Sequence, residues 1–240
     1  MKNTKSIFIA LLAFVALQPG AAVSACAQDR LKADFALGFS SSYVWRGLNM
    51  GTTVLQPELS LGWKGLAFYV SGSSGLIDPR NEIDLTLAYT VGGFTVGVID
   101  YWDDLGGTRY FDYRPKETGH SIEAVVHYDF GPVGVSWQTF FAGCDLQEAD
   151  GRRAFSSYFE VSAPFRLVGL DFLARAGFVP WASDYYGTQR FTFQSVSLKA
   201  TKAIPISDRF SLPVYGELIA TPANGKLFFV AGLSIRFHRE

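Results

Sequence analysis

The feature that most restricts the fold is a two-residue alternation that runs almost the whole length of the chain. It is cleanest at the end. From Leu227 to His238, Leu227, Phe229, Ala231, Leu233, Ile235 and Phe237 make one wholly apolar face. Phe228, Val230, Gly232, Ser234, Arg236 and His238 make the other, which turns polar toward its end. Successive side chains of a strand point to opposite sides, so this period belongs to a strand between an oily medium and a polar one. A soluble β-sandwich alternates too, but its oily faces meet each other and many of its strands are weakly patterned edges. Here nearly every segment keeps one clean apolar face. That predicts an all-β chain closed into a transmembrane antiparallel up-and-down barrel.

The first residues read as an export signal over 1–27. Lys2 and Lys5 give a positive start, Ile7 to Leu17 is an eleven-residue apolar run, and Pro19-Gly20 breaks any helix. That run is too short to cross about 30 Å of hydrocarbon as a helix. Two cleavage points compete: Ala25-Cys26-Ala27 before Gln28, and a lipobox-like Val23-Ser24-Ala25-Cys26 that would leave Cys26 lipidated. No apolar run of about 18 residues follows, which excludes a helical inner-membrane protein. Loss of Lys2 and Lys5 takes the 21 basic residues to 19 against 22 acidic, a formal charge of −3. Such a charge is no footprint for nucleic acid.

Residues 28–240 then divide into twelve alternating segments, or ten if two weak ones merge into loops. The first, Ala33 to Trp45, sets Phe35, Leu37, Phe39, Tyr43 and Trp45 outward. Short turns are read around Gly65, Gly92, Gly131, Arg166 and Ser207, with longer connections after the odd segments, the longest being Asp103 to Gly119. Short periplasmic turns, longer outer loops and an even strand number are the bacterial pattern. Tyr43, Trp45, Trp63, Tyr89, Trp102, Tyr128 and Trp181 lie near segment ends, as interfacial girdles require. Asp100 and Gln194 fall on outward positions and disturb their segments.

By the same alternation the interior carries Asp34, Glu58, Glu82, Asp84, Glu123, Asp129, Glu160, Asp171 and Glu217 against Arg46, Lys64, Arg175, Lys199 and Arg236. Inward charges either line water or pair into a network that fills the barrel. Twelve strands leave an interior between the packed eight-stranded and the open sixteen-stranded case. The primary expectation is passive diffusion of small solutes, with Arg46, Glu58, Glu82, Asp84, Glu123, Arg175, Lys199 and Glu217 lining or constricting the lumen. A closed barrel acting through its loops is the alternative. Its binding candidates are Arg109, Tyr110, Tyr113 and Arg114, because aromatics flanked by arginine suit sugar or protein contact; the plainer reading is that this loop folds into the barrel mouth or stacks at the lipopolysaccharide interface. A lipid-hydrolysing barrel is a weaker third. His120 and Ser121 are adjacent and point to opposite faces, and no G-x-S-x-G elbow occurs. The reading implies no cofactor, and no metal: Cys144 is a lone thiol, and neither Asp78-Pro79 nor Asp145 to Asp150 has calcium-ligand spacing.

Ser41-Ser42-Tyr43-Val44-Trp45-Arg46-Gly47 resembles the opening Ser-x-Tyr-x-x-Arg-Gly of the TorF family of Gram-negative outer-membrane porins. Gly65 to Ser73 and Glu82-Ile83-Asp84-Leu85 are similar as well, so the resemblance covers Asp34 to about Trp102. Trp45 stands where that family often has Phe. The resemblance implies a Gram-negative outer-membrane barrel and little about substrate. The partners expected on this reading are outer-membrane lipid and lipopolysaccharide, the barrel-assembly machinery that recognises a terminal aromatic such as Phe237, and small solutes.

Overall fold

Twelve antiparallel strands close on themselves, each hydrogen-bonded to its neighbours in sequence, in the computed structural model of the chain. It describes residues 31–78, 80–104, 107–114, 116–207 and 210–239. The export signal lies outside them. The barrel strands are β1 (Lys32–Ser40), β4 (Val54–Trp63), β5 (Leu66–Gly75), β6 (Asn81–Val91), β7 (Phe94–Asp103), β8 (His120–Asp129), β9 (Gly134–Gly143), β10 (Ser157–Leu167), β11 (Leu170–Val179), β12 (Thr192–Ser207), β13 (Phe210–Thr221) and β14 (Lys226–Arg239). Two short strands, β2 (Tyr43–Trp45) and β3 (Leu48–Gly51), pair with each other and stand outside the barrel ladder. The closing seam is β1 on β14, with Phe35 opposite Phe237 and Asp34 opposite His238.

The distribution of side chains is inverted relative to a water-soluble domain. Leu87, Phe229 and Leu218 are about half exposed or more, whereas Glu123, Gln138 and Ser157 are fully buried. Outward apolar rows need lipid around them, and inward polar rows bury themselves in the lumen. The interior aromatic cluster of Tyr43, Trp45, Tyr101, Phe140, Tyr158 and Tyr186 is therefore the only place where large rings pack as a core among the described residues.

Local chain chemistry sets the turns. Lys64-Gly65 and Val168-Gly169 both take left-handed φ, at 47° and 86° and at 46° and 77°. That is the dihedral signature of two-residue hairpins whose twist matches the strands. The second of these places the β10–β11 turn two residues beyond Arg166. Lys64 belongs to a turn, not to the interior: it is exposed, with Nζ 5.3 Å from the Trp63 ring centroid.

Two further expectations are corrected. The first barrel strand ends at Ser40, not at Trp45. There Ser41 exchanges two hydrogen bonds with Ala231, donating from its amide at 2.8 Å and accepting at its hydroxyl at 3.0 Å. Ser42 Oγ donates to Gly51 O at 3.1 Å, and the chain turns inward, so Tyr43 and Trp45 are buried rather than lipid-facing. Gln194 is not outward either. A register shift between Gly177 and Phe178 opposes Gly177 to Ser195 and Phe178 to Phe193, leaving Gln194 as the extra residue. Such a bulge re-aims a side chain, and Gln194 is buried.

Candidate functional site: a septum across the lumen

Residues 41–53 connect β1 to β4 at the end of the barrel that carries the longer loops. They do not cover the mouth. β2 and β3 form a hairpin that enters the lumen, and its turn is Arg46-Gly47, with φ of 47° and 78°. A Cβ on Gly47 would meet Gln194 O at 2.7 Å and Thr221 Cγ2 at 2.8 Å, so the tip seats against β12 and β13. Glycine is required there twice, for its φ and for the close approach.

From that tip Arg46 reaches β8. Its Nη1 donates to Glu123 Oε1 at 2.6 Å and its Nη2 to Glu123 Oε2 at 2.8 Å. Nη1 also donates to Tyr186 Oη at 2.8 Å, and Tyr101 donates to Glu123 Oε2 at 3.0 Å. The guanidinium lies 4.2 Å from the Trp45 ring centroid and 4.9 Å from that of Tyr158. Trp45 stacks on Tyr186 at 6.2 Å and 10°, and Tyr186 on Tyr158 at 5.9 Å. Arg46 is 5% exposed and Glu123 fully buried. A buried pair of this kind is tolerable because its planar fork is matched bidentately and the hydroxyls of Tyr186 and Tyr101 add a bond to each partner. Together hairpin, tyrosines and ion pair make a buried septum between β1/β4 on one wall and β8 to β12 on the other.

Beyond the septum, toward the short turns, the wall is charged. Arg175 pairs with Glu217 and donates from Nε to Ser197 Oγ at 3.2 Å. Lys199 Nζ sits 3.8 Å from the Tyr215 ring centroid, and Arg236 Nη2 lies 3.4 Å from Glu58 Oε1. On β6, Glu82 takes the Tyr43 hydroxyl and Asp84 accepts from Ser71 Oγ at 3.4 Å. Several buried polar atoms find no protein partner: Glu82 Oε2, Asp84 Oδ1, Thr86 Oγ1, Gln138 Oε1, Glu160 Oε1 and both ring nitrogens of His127.

The residues Arg46, Glu58, Glu82, Asp84, Glu123, Arg175, Lys199 and Glu217 all lie inside the barrel, but they do not form one constriction. Arg46 and Glu123 belong to the septum, Arg175, Lys199 and Glu217 to the β11–β13 wall, Glu82 and Asp84 to β6, and Glu58 faces Arg236. Sequence reasoning placed Trp45 and Gln194 outward, put Tyr158 on the inward face without assigning it a role, and missed Tyr101, Phe140 and Tyr186 altogether. One signal was available. Arg46-Gly47 has the same form as Lys64-Gly65, a two-residue hairpin turn inside what looks like a single long segment.

The loop residues Arg109, Tyr110, Tyr113 and Arg114 are elsewhere, on the outside of the barrel. His120 heads the outward row of β8 and Ser121 the inward one, where its Oγ lies 3.0 Å from Cys144 Sγ. No group of three or more His, Cys, Asp or Glu side chains that could hold a metal ion occurs among the described residues.

A closed transmembrane barrel with an internal septum is the class these features define. Against known proteins, no family model and no curated protein matches the chain. Among solved structures it is similar to an outer membrane channel from Pseudomonas putida F1, at 11% identity, with a TM-score of 0.43 and 87% of this chain and 95% of that one covered. A bacterial polysaccharide outer membrane secretin aligns at 8% identity and a TM-score of 0.41, covering 88% and 99%. CdiB from Acinetobacter baumannii aligns at 11% identity and 0.40, covering 88% of this chain and 60% of that one. All three lie below a TM-score of 0.5, and the architecture rests on this chain's own strand pairing.

Proposed function

We propose that the protein is a Gram-negative outer-membrane channel for passive diffusion of small solutes, held shut at rest by the 43–51 hairpin. The observation that carries this reading is the contrast between wall and septum. The wall is polar and charged, with buried polar atoms on β6, β8, β9 and β10 that find no protein partner. A barrel built only to be filled would satisfy or replace such groups, since each unpartnered one costs about 1–3 kcal/mol. What blocks the lumen is one discrete hairpin, held by the Arg46–Glu123 ion pair and by hydrogen bonds such as Arg80 Nη1 to Met50 O, with the tyrosines of the 180–191 loop behind it. The resemblance of the 41–47 stretch to TorF-like porins agrees with this.

Single-channel recording in planar bilayers tests it. Wild-type barrel is expected to show rare, brief openings, and a variant with 43–51 replaced by a short Gly-Ser link to conduct steadily. A folded hairpin-less barrel that never conducts would refute the channel. It would favour the second reading, a closed barrel acting at its surface, which the complete burial of Glu123 and Phe140 in the septum supports.

A further inference from the structure

The connection between β7 and β8 is pinned to the barrel's outer wall, and two misfit residues on that wall explain how. Asp100 stands on the lipid-facing row of β7 with Val96 and Val98, and His120 on that of β8 with Ile122 and Val126. A charged residue bare on that face would be costly. Here His120 Nδ1 meets Asp100 Oδ1 at 2.7 Å, and Nε2 meets the backbone oxygen of Tyr110 at 2.5 Å. The ring thus ties Asp100 on the wall to the backbone of the strap, and neither of its nitrogens is left bare toward lipid. Tyr113 covers the pair. Its ring stacks on His120 at 4.0 Å and 22°, and its hydroxyl donates to Asp100 Oδ2 at 2.9 Å. Tyr110 adds an edge contact to Trp102 at 5.4 Å.

A strap fixed in this way presents a defined surface. Residues 109–114 curl around an open concavity of about 730 Å³. Phe111, 90% exposed, projects from it with its ring edge-on to Tyr110 at 5.0 Å. Arg109 is exposed and makes no ion pair among the described residues. Arg114 is exposed but already positioned by Asp112 at 2.5 Å and Glu117 at 2.6 Å. The strap thus offers two exposed cations, Arg109 within the field of Asp112 and Arg114 held by Asp112 and Glu117, beside a bare aromatic ring, all rooted on the wall that faces lipid.

We propose that this strap binds a phosphorylated glycolipid of the outer leaflet, its phosphate on Arg109 and Arg114 and an acyl chain against Phe111. Guanidinium forks match phosphate oxygens. An aromatic ring at the headgroup level suits the boundary between sugar and chain. The placement selects a membrane lipid over a soluble anion, because Asp100, Trp102 and His120, to which the strap is fastened, belong to rows that lipid covers. The inference shares with the channel reading its outer-membrane placement and is independent of whether the lumen conducts.

Native mass spectrometry of the folded full-length barrel in detergent tests it, with bisphosphorylated lipid A, dephosphorylated lipid A and phosphatidylethanolamine as probes. The expected result is one retained bisphosphorylated lipid A per barrel, with the other two bound about tenfold or more weakly. Arg109→Ala with Phe111→Ala should cut retention to the level of the dephosphorylated lipid. Tyr113→Phe should lower it although Arg109, Arg114 and Phe111 all remain, and a heat-modifiable gel shift establishes that each variant is folded. Equal retention of the phosphorylated and dephosphorylated lipids, or undiminished retention by the folded Arg109/Phe111 double variant, would overturn the proposal.

Discussion

Arg46 and Glu123 are 77 positions apart in the chain and meet fork to carboxylate inside the barrel, toward its long-loop end, at 2.6 and 2.8 Å. One is carried by a hairpin turn and the other by the opposite wall, so the pair ties the inserted hairpin to the barrel. Its stability follows from matching rather than from charge alone. Removing one partner strands the other without water, which costs about 3–5 kcal/mol, whereas removing both is far milder.

Glu123→Ala is therefore expected to lower the urea midpoint of the barrel in lipid vesicles by an amount equivalent to that cost. Arg46→Met with Glu123→Leu should recover most of it. A double-mutant cycle reads the coupling directly. If the two single losses simply add, the pair is not the tie described.

Gly47→Ala attacks the same element at its tip. The added methyl meets Gln194 O and Thr221 Cγ2, and alanine disfavours the φ of 78°. A penalty of about 1–3 kcal/mol is expected for that strain, concentrated on the hairpin. Amide exchange at 43–51 should quicken while the barrel strands stay protected, and conducting events should become more frequent. Unchanged exchange at 43–51 would mean the tip is not seated against β12.

The barrel was legible because lipid imposes one rule on every strand. Phe229, Leu87 and Leu218 had to alternate with polar neighbours whatever their partners were, and closure followed from the absence of any strand that could serve as a bare edge. The septum was not legible by that rule. Tyr43 and Trp45 continue the apolar face of Phe35 and Phe39 in sequence, yet the break at Ser41-Ser42 sends them inward, where a lumen closed by aromatic rings accepts them as readily as lipid would. Alternation specifies a face only while the strand continues. Gln194 failed for the same reason, since one bulge shifts the phase by a residue. Tyr186 and Phe140 carry no pattern that distinguishes packing in the septum from packing in a girdle.

Leu87→Arg probes the lipid-facing wall itself. Leu87 lies midway along β6, is 53% exposed, and sits between Phe68 and Val98 on neighbouring strands. An arginine near the bilayer midplane of a barrel costs about 2–4 kcal/mol, and close to nothing near the interface. Folding into phosphatidylcholine vesicles should weaken by the midplane amount for Leu87→Arg and hardly at all for Phe111→Arg on the strap. Equal effects at both positions would contradict the depth assigned to them.

Tyr113 gives the strap a dependence on pH whose sign is fixed by its surroundings. Burial against His120, followed by its hydrogen bond to Asp100 and the charge of that carboxylate, raises the phenol from its ordinary 10 to about 12. A group whose proton is held more tightly in the folded state stabilises that state below the unfolded value and loses the contribution as pH rises through the folded one. The attachment of the strap should therefore be complete below pH 10 and fall away between about 10 and 12. Above that range the phenolate would face Asp100, a like-charge contact that pushes the ring off the wall. Absorbance at the tyrosinate band, taken as the difference between wild type and Tyr113→Phe, isolates this one residue among eleven tyrosines. A difference titration centred near 10 would mean that Tyr113 is free in solution and that the strap is not fastened through it.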